Sequence, residues 1–114
     1  MSIVYISLLV NIIVAGFWGS VLFCESYPRL SRPFGPDSPG LRILSSLYTA
    51  IAFVSLFAVI ENQYLIQIVM VLFPLQIFYK LLSVVAVRDI KNPVVISNIV
   101  IALLHSVSLY LLLV

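Results

Sequence analysis

Charge is scarce in this chain of 114 residues: six Lys or Arg, four Asp or Glu and one His leave it 9% charged, where soluble domains carry about 25%. So few ions cannot clothe a water-facing surface, which excludes a soluble enzyme or a disordered tail. The few basic residues, scattered among acids, form no phosphate-tracking stripe, so no nucleic-acid partner is expected. Cys24 is the only cysteine, which excludes an intrachain disulfide and a multi-cysteine metal site. It reads as an inert interfacial thiol rather than an acylation site. His105 is the only histidine, so bis-His haem within one chain is excluded. No chain of Asp, Glu or His lies at depth, as a proton relay requires. No nucleophile–base pair or metal cluster can be assembled, and the chain is read as non-enzymatic. No internal repeat is visible either, which disfavours an alternating-access transporter.

What is present is apolar. The chain is 63% hydrophobic, with a mean hydropathy of +1.23. A helix needs about 20 mostly apolar residues to cross a hydrocarbon core of about 30 Å. Charges and turn residues cut the sequence into four such stretches, with helices expected near 3–23, 39–60, 64–87 and 93–114. The apolar runs are continuous rather than alternating, which argues against a membrane β-barrel. The expectation is an all-α integral membrane protein: one domain over 1–114, an antiparallel four-helix bundle. The connection 24–38 holds Pro28, Pro33 and Pro36 and cannot continue a helix. Ser38-Pro39 and Asn92-Pro93 both read as an N-cap followed by proline at the first helical position. Glu61-Asn62-Gln63 is a minimal turn, so the second and third helices are expected to form a tight hairpin. Pro74 is expected to interrupt the third helix.

All six basic residues, Arg29, Arg32, Arg42, Lys80, Arg88 and Lys91, flank the first and third connections. The positive-inside rule then places both termini away from the cytoplasm. Tyr5, Tyr64 and Tyr110 fall at the outer interface; Trp18, Tyr27, Phe34 and Tyr79 lie near the inner one. The first helix has no basic n-region and no A-x-A site, so it is expected to be retained rather than cleaved.

At 100° per residue the polar and small residues of each span share a face. Asn11, Ala15 and Gly19 form one stripe; Ser45, Tyr48, Thr49, Ala52 and Ser55 a second; Gln76, Lys80 and Ser83 a third; Asn98, Ala102 and His105 a fourth. Such stripes let helices approach closely and bond across the interface. A rise of 1.5 Å per residue sets Asn11 and His105 both about 12 Å below the outer boundary. They are expected to hydrogen-bond, with His105 neutral. Tyr48 and Gln76 fall about 10–12 Å from the inner boundary, with Lys80, Ser45 and Asn98 nearer to it and Arg42 at the rim. Arg42, Tyr48, Gln76, Lys80 and Asn98 therefore form a candidate pocket for an anionic or quinone-like lipid head group. The rival reading is that Lys80 snorkels along its own stem. His105 is a weaker candidate for ligating a single macrocycle; no cofactor is otherwise expected, and neither Met1 nor Met70 is placed opposite it.

The stretch Phe34-Gly-Pro-Asp-Ser-Pro-Gly-Leu-Arg-Ile-Leu-Ser-Ser-Leu-Tyr-Thr-Ala-Ile-Ala, with Leu75-Gln-Ile-Phe-Tyr-Lys-Leu-Leu, resembles small bacterial four-helix membrane proteins of the DoxX-like kind. The resemblance covers about half of the chain and carries over only Arg42, Tyr48 and Lys80. It implies a bacterial inner-membrane location and a role beside redox complexes as a partner or small subunit.

Two functions compete. One is a non-catalytic accessory subunit of a larger membrane complex, contacting lipids and other membrane polypeptides. In that reading Tyr27, Arg29, Arg32 and Phe34 on the proline-rich connection form a docking surface, although the arginines alone would also suit anionic lipid head groups. The other is a small lipid-, quinone- or pigment-binding protein that uses the polar pocket or His105.

Overall fold

The computed structural model describes residues 2–24, 34 and 38–114, with the backbone alone at 23 and 24. Among these residues there is no strand. Four helices are long and apolar enough to cross a membrane. The first, α1, is α-helical over Ser2–Val10, π-helical over Asn11–Ala15 and α-helical again over Gly16–Cys24. Next come α2 (Pro39–Ile60), a 3₁₀ turn (Asn62–Tyr64), α3 (Leu65–Val87) and α4 (Pro93–Leu113). Each bound lies within one residue of its expected position.

The helix starts follow from their caps. Leu41 N–H donates to the Ser38 Oγ at 3.2 Å, and Val94 N–H to the Asn92 Oδ1 at 2.9 Å. In each case proline takes the position where a missing N–H is harmless. At its far end α3 stops on Arg88, which sits in the left-handed region at φ 59° while its N–H donates to the Val84 carbonyl.

Pro74 lies inside α3, yet the helix runs unbroken from Leu65 to Val87, so the expected interruption is not a break. A proline removes one N–H from the ladder, here the one facing the Met70 carbonyl, and the turns on either side keep theirs. The irregular backbone is in α1 instead. Ser7, Asn11, Ala15 and Gly19 recur every four residues, and all four are buried. In a plain α-helix such a stripe winds by about 40° per step, or about 120° from Ser7 to Gly19. A π-turn takes up one extra residue, which reduces that drift to about 20°. The π-turn thus keeps one straight polar and small face toward α2, α3 and α4.

Around the bundle, α1 packs on α2, the amino-terminal half of α1 packs on α4, and α4 packs along α3. The fourth side is open. Although a short turn joins them, α2 and α3 touch sparsely, and an apolar groove of about 600 Å³ lies between them, walled by Val54, Phe57, Ile68, Val71 and Leu75. The expected tight hairpin is therefore tight only at its turn. The cause is the side on which α2 carries its small residues. Ser45 and Thr49 meet Gly19 of α1, and Ala52 meets Gly16, so α2 is drawn toward α1 and away from α3.

Two apolar clusters close the ends of the interior. Val4, Leu8, Ala58, Leu65, Val69 and Phe73 fill the end near the Glu61 turn. Ala15, Leu22, Tyr48 and Ile51, with Trp18 and Phe34 against them, fill the other. The outer faces carry exposed Ile43, Phe53, Ile60, Val71, Phe78 and Leu82.

Candidate functional site

Asn11 is the hub of the buried polar groups. Its Nδ2 donates to the Gln76 Oε1 at 2.7 Å, and its Oδ1 accepts from the Gln76 Nε2 at 3.1 Å. The two amides form a closed reciprocal pair across the diagonal of the bundle, where only long polar side chains can bridge α1 and α3. His105 joins from α4, its Nε2 2.9 Å from the same Asn11 Oδ1. The expected Asn11–His105 contact is thus present, and Gln76 is added to it. With the amides oriented this way, the oxygen accepts and Nε2 carries the ring proton. The Nδ1 is buried with no partner among the described residues. The imidazole stacks on Phe73, with ring centroids 4.3 Å apart, and is fully buried. A macrocycle ligated at Nε2 would have to displace Asn11.

Toward the basic end lies a second group. Lys80 Nζ donates to the Asn98 Oδ1 at 3.3 Å, Asn98 Nδ2 donates to the Ser83 Oγ at 2.9 Å, and the Ser83 hydroxyl donates to the Lys80 carbonyl at 2.5 Å. Lys80 is 4% exposed, so it does not snorkel out of the bundle; its amino group is held inward by α4. Toward the other end, Ser7 and Ser108 hydroxyls lie 2.5 Å apart, and Ser108 also reaches the Leu104 carbonyl at 2.9 Å. Ser7 therefore donates to Ser108, which donates onward to Leu104. Between α1 and α2, the Ser45 hydroxyl donates to the Gly19 carbonyl at 2.9 Å.

The residues expected to form one pocket divide. Gln76, Lys80, Tyr48 and Asn98 surround a cavity of about 10 Å³, together with Asn11 and Ala15. That holds about one water and no lipid head group. Gln76 keeps one N–H beyond its pair with Asn11, and Lys80 has protons beyond its bond to Asn98, so such a water has partners on both sides. The two depth layers expected from the sequence are accordingly not separate. Asn11 bonds to Gln76 directly, because an amide side chain on each helix spans the gap that backbone depth implies. Arg42 lines neither this cavity nor the larger one beside it.

That larger cavity, about 320 Å³, lies at the basic end among α2, α3, α4 and Phe34. Tyr48 and Asn98 line both cavities. Phe34, expected to face outward as a docking residue, is half-buried. It packs edge-on to Trp18 at 5.0 Å and to Tyr48 at 6.2 Å between ring centroids, which makes it an internal anchor. A large aromatic gains more from this slot than from exposure. Tyr27, Arg29 and Arg32 lie outside the described residues, as does the Cys24 thiol.

Ser7, Ser108 and Phe73 belong to the polar chain or its packing and were not singled out from the sequence. Ser7 stands four residues before Asn11 and Ser108 three after His105, so helical spacing alone places each pair on one face. Phe73 carries no such signal. Among the described residues no three His, Cys, Asp or Glu side chains come together. No protein-family profile matches the chain, and no curated protein or solved structure shows significant similarity to it.

Proposed function

We propose that this chain is an integral membrane protein that serves as a non-catalytic subunit of a larger membrane assembly. One observation carries the reading: the polar side chains of the four inward stripes are bonded largely to one another, while the outer faces present Leu, Ile, Val and Phe. Groups so engaged position the helices and leave no exposed constellation for chemistry among the described residues. The open α2–α3 side supplies an apolar recess for a neighbouring helix. The resemblance to DoxX-like proteins is in keeping with this role and with a bacterial inner membrane.

Both termini are assigned to the non-cytoplasmic side, on the distribution of the six basic residues. In intact cells an impermeant thiol reagent labels Ser2→Cys and spares Ser31→Cys; the reverse pattern refutes the orientation.

Docking is assigned to Tyr27, Arg29 and Arg32. Purified natively in mild detergent, the chain migrates in a complex of fixed stoichiometry, well above its own 12.7 kDa. Changing the three residues together to Ala releases it while leaving it in the membrane. Recovery of the unaltered chain only as a free monomer defeats the subunit reading.

A further inference from the structure

We propose that the 320 Å³ cavity at the basic end binds an amphiphile whose head carries hydrogen-bond-accepting carbonyl oxygens and whose tail is apolar. Its volume falls at the lower end of the range for small-molecule sites, and its make-up follows their pattern of apolar walls with few polar groups. Phe34, Leu41, Leu44 and Val95 supply the walls.

The polar groups decide the ligand class. Ser83 is fully engaged, since its hydroxyl donates to the Lys80 carbonyl and accepts from Asn98. Asn92 uses its oxygen to cap α4. Asn98 has given its Oδ1 to Lys80 and one N–H to Ser83, which leaves one N–H. Tyr48 is 4% exposed, and its hydroxyl has no partner among the described residues. Tyr79 is also on the wall, but its hydroxyl is buried away from the cavity space, without a partner among the described residues, and is not one of the donors offered to a ligand. What the cavity has left to offer is an N–H, which only donates, and a hydroxyl, which donates and accepts. An unpartnered hydroxyl is uncommon in a folded interior, and a carbonyl oxygen with two lone pairs can accept from the Tyr48 hydroxyl and the Asn98 N–H at once. A head group with donors alone would bond to a hydroxyl oxygen but leave the Asn98 N–H unmet.

The placement of the cavity fits an amphiphile rather than a wholly polar molecule. It is walled by α2 and α3 on the side where those helices stand apart, so an apolar tail leaves between them. This is a different set from the one the sequence indicated: Tyr48 and Asn98 stay, Arg42 and Gln76 drop out, and Lys80 acts through Asn98. The proposal is independent of the subunit reading, because a monomer contains the whole cavity.

Two sources share this chemistry, an isoprenoid-type quinone and an acyl ester of glycerol. The test uses the full chain in mild detergent, with a decyl-substituted 1,4-benzoquinone and a monoacylglycerol as probes. The readouts are the melting temperature and the fluorescence of Trp18, the only tryptophan, which touches the wall residue Phe34. A saturable rise in melting temperature is expected with at least one probe, and saturable Trp18 quenching with the quinone if that is the one bound. Tyr48→Phe weakens binding about tenfold, the equivalent of one lost hydrogen bond. Val87→Phe, on the exposed rim of the cavity, weakens it at least fivefold without touching the polar chain. A response to one probe alone assigns the source, and a response to both assigns the shared carbonyl chemistry. A response that rises without saturating, is equal in all three chains, or is absent with both probes overturns the proposal.

Discussion

Asn11→Leu lowers the stability of the bundle by about 2–4 kcal/mol, a loss shared among three hydrogen bonds and the groups they leave behind. Leucine keeps the branched four-atom outline of asparagine with bulkier ends, so the site stays filled while its hydrogen bonds are lost. The two bonds to Gln76 and the one to His105 disappear together. Each bond between helices in a membrane bundle contributes about 0.6–1.7 kcal/mol, and a buried amide and an imidazole are also stranded. Because the stranded partners are the larger part of the effect, removing them as well restores stability. The triple variant Asn11→Leu, Gln76→Leu, His105→Phe regains more than half of what Asn11→Leu alone loses. Helicity followed through a titration from mild into denaturing detergent measures both. An Asn11→Leu protein within about 0.5 kcal/mol of the starting chain shows that the amide pair is not the hub described here.

Gly19→Ala costs about 2–3 kcal/mol, even though alanine is the better helix former. A Cβ at this position lies 2.7 Å from the Thr49 Oγ1, 3.1 Å from the Thr49 nitrogen and 3.5 Å from the Ser45 carbonyl oxygen. Thr49 is β-branched and its hydroxyl is bonded to the Ser45 carbonyl at 2.9 Å, so it does not swing aside freely, and the backbone atoms cannot move alone. The helices must separate, which takes the Ser45 hydroxyl away from the Gly19 carbonyl. Gly16→Ala is the control. Its Cβ meets only the Ala52 Cβ, at 3.9 Å, and the substitution is neutral or stabilises by up to about 1 kcal/mol. Thermal unfolding of both variants in one detergent separates close approach from helix propensity, and equal midpoints would refute the argument. Adding Thr49→Ala to Gly19→Ala returns part of the loss.

Helix bounds were legible because each end has a local cause: Ser38-Pro39, Asn92-Pro93 and the Glu61 turn set limits without reference to other helices. The facing of Asn11 and His105 was legible too, since depth and phase are counted along single helices. What lay beyond the sequence is whatever depends on two helices at once. The diagonal reach of Gln76 to Asn11 depends on bundle width. The splaying of α2 from α3 depends on which neighbour meets the small stripe of Ser45, Thr49 and Ala52. Phe34 stands in a connection and has no helical phase from which to infer its slot between Trp18 and Tyr48. Leu41, Leu44 and Tyr48 share one face of α2, and Tyr79, Ser83 and Val87 one face of α3, but only the gap between α2, α3 and α4 turns those faces into the 320 Å³ cavity.

The π-turn in α1 also bears on what specifies the shape of that helix. A π-turn has poorer hydrogen-bond geometry than the α-helix around it and is rare where nothing stabilises it. Alone, the first helix takes the plain α register, in which Ser7, Asn11, Ala15 and Gly19 wind around the cylinder. Only contact with Ser108, Gln76, His105, Ser45 and Thr49 together rewards the extra residue in the turn. Those partners are spread over α2, α3 and α4, so the π-turn is favoured only where all three are in place. The final shape of α1 is thereby a property of the whole bundle rather than of its own sequence.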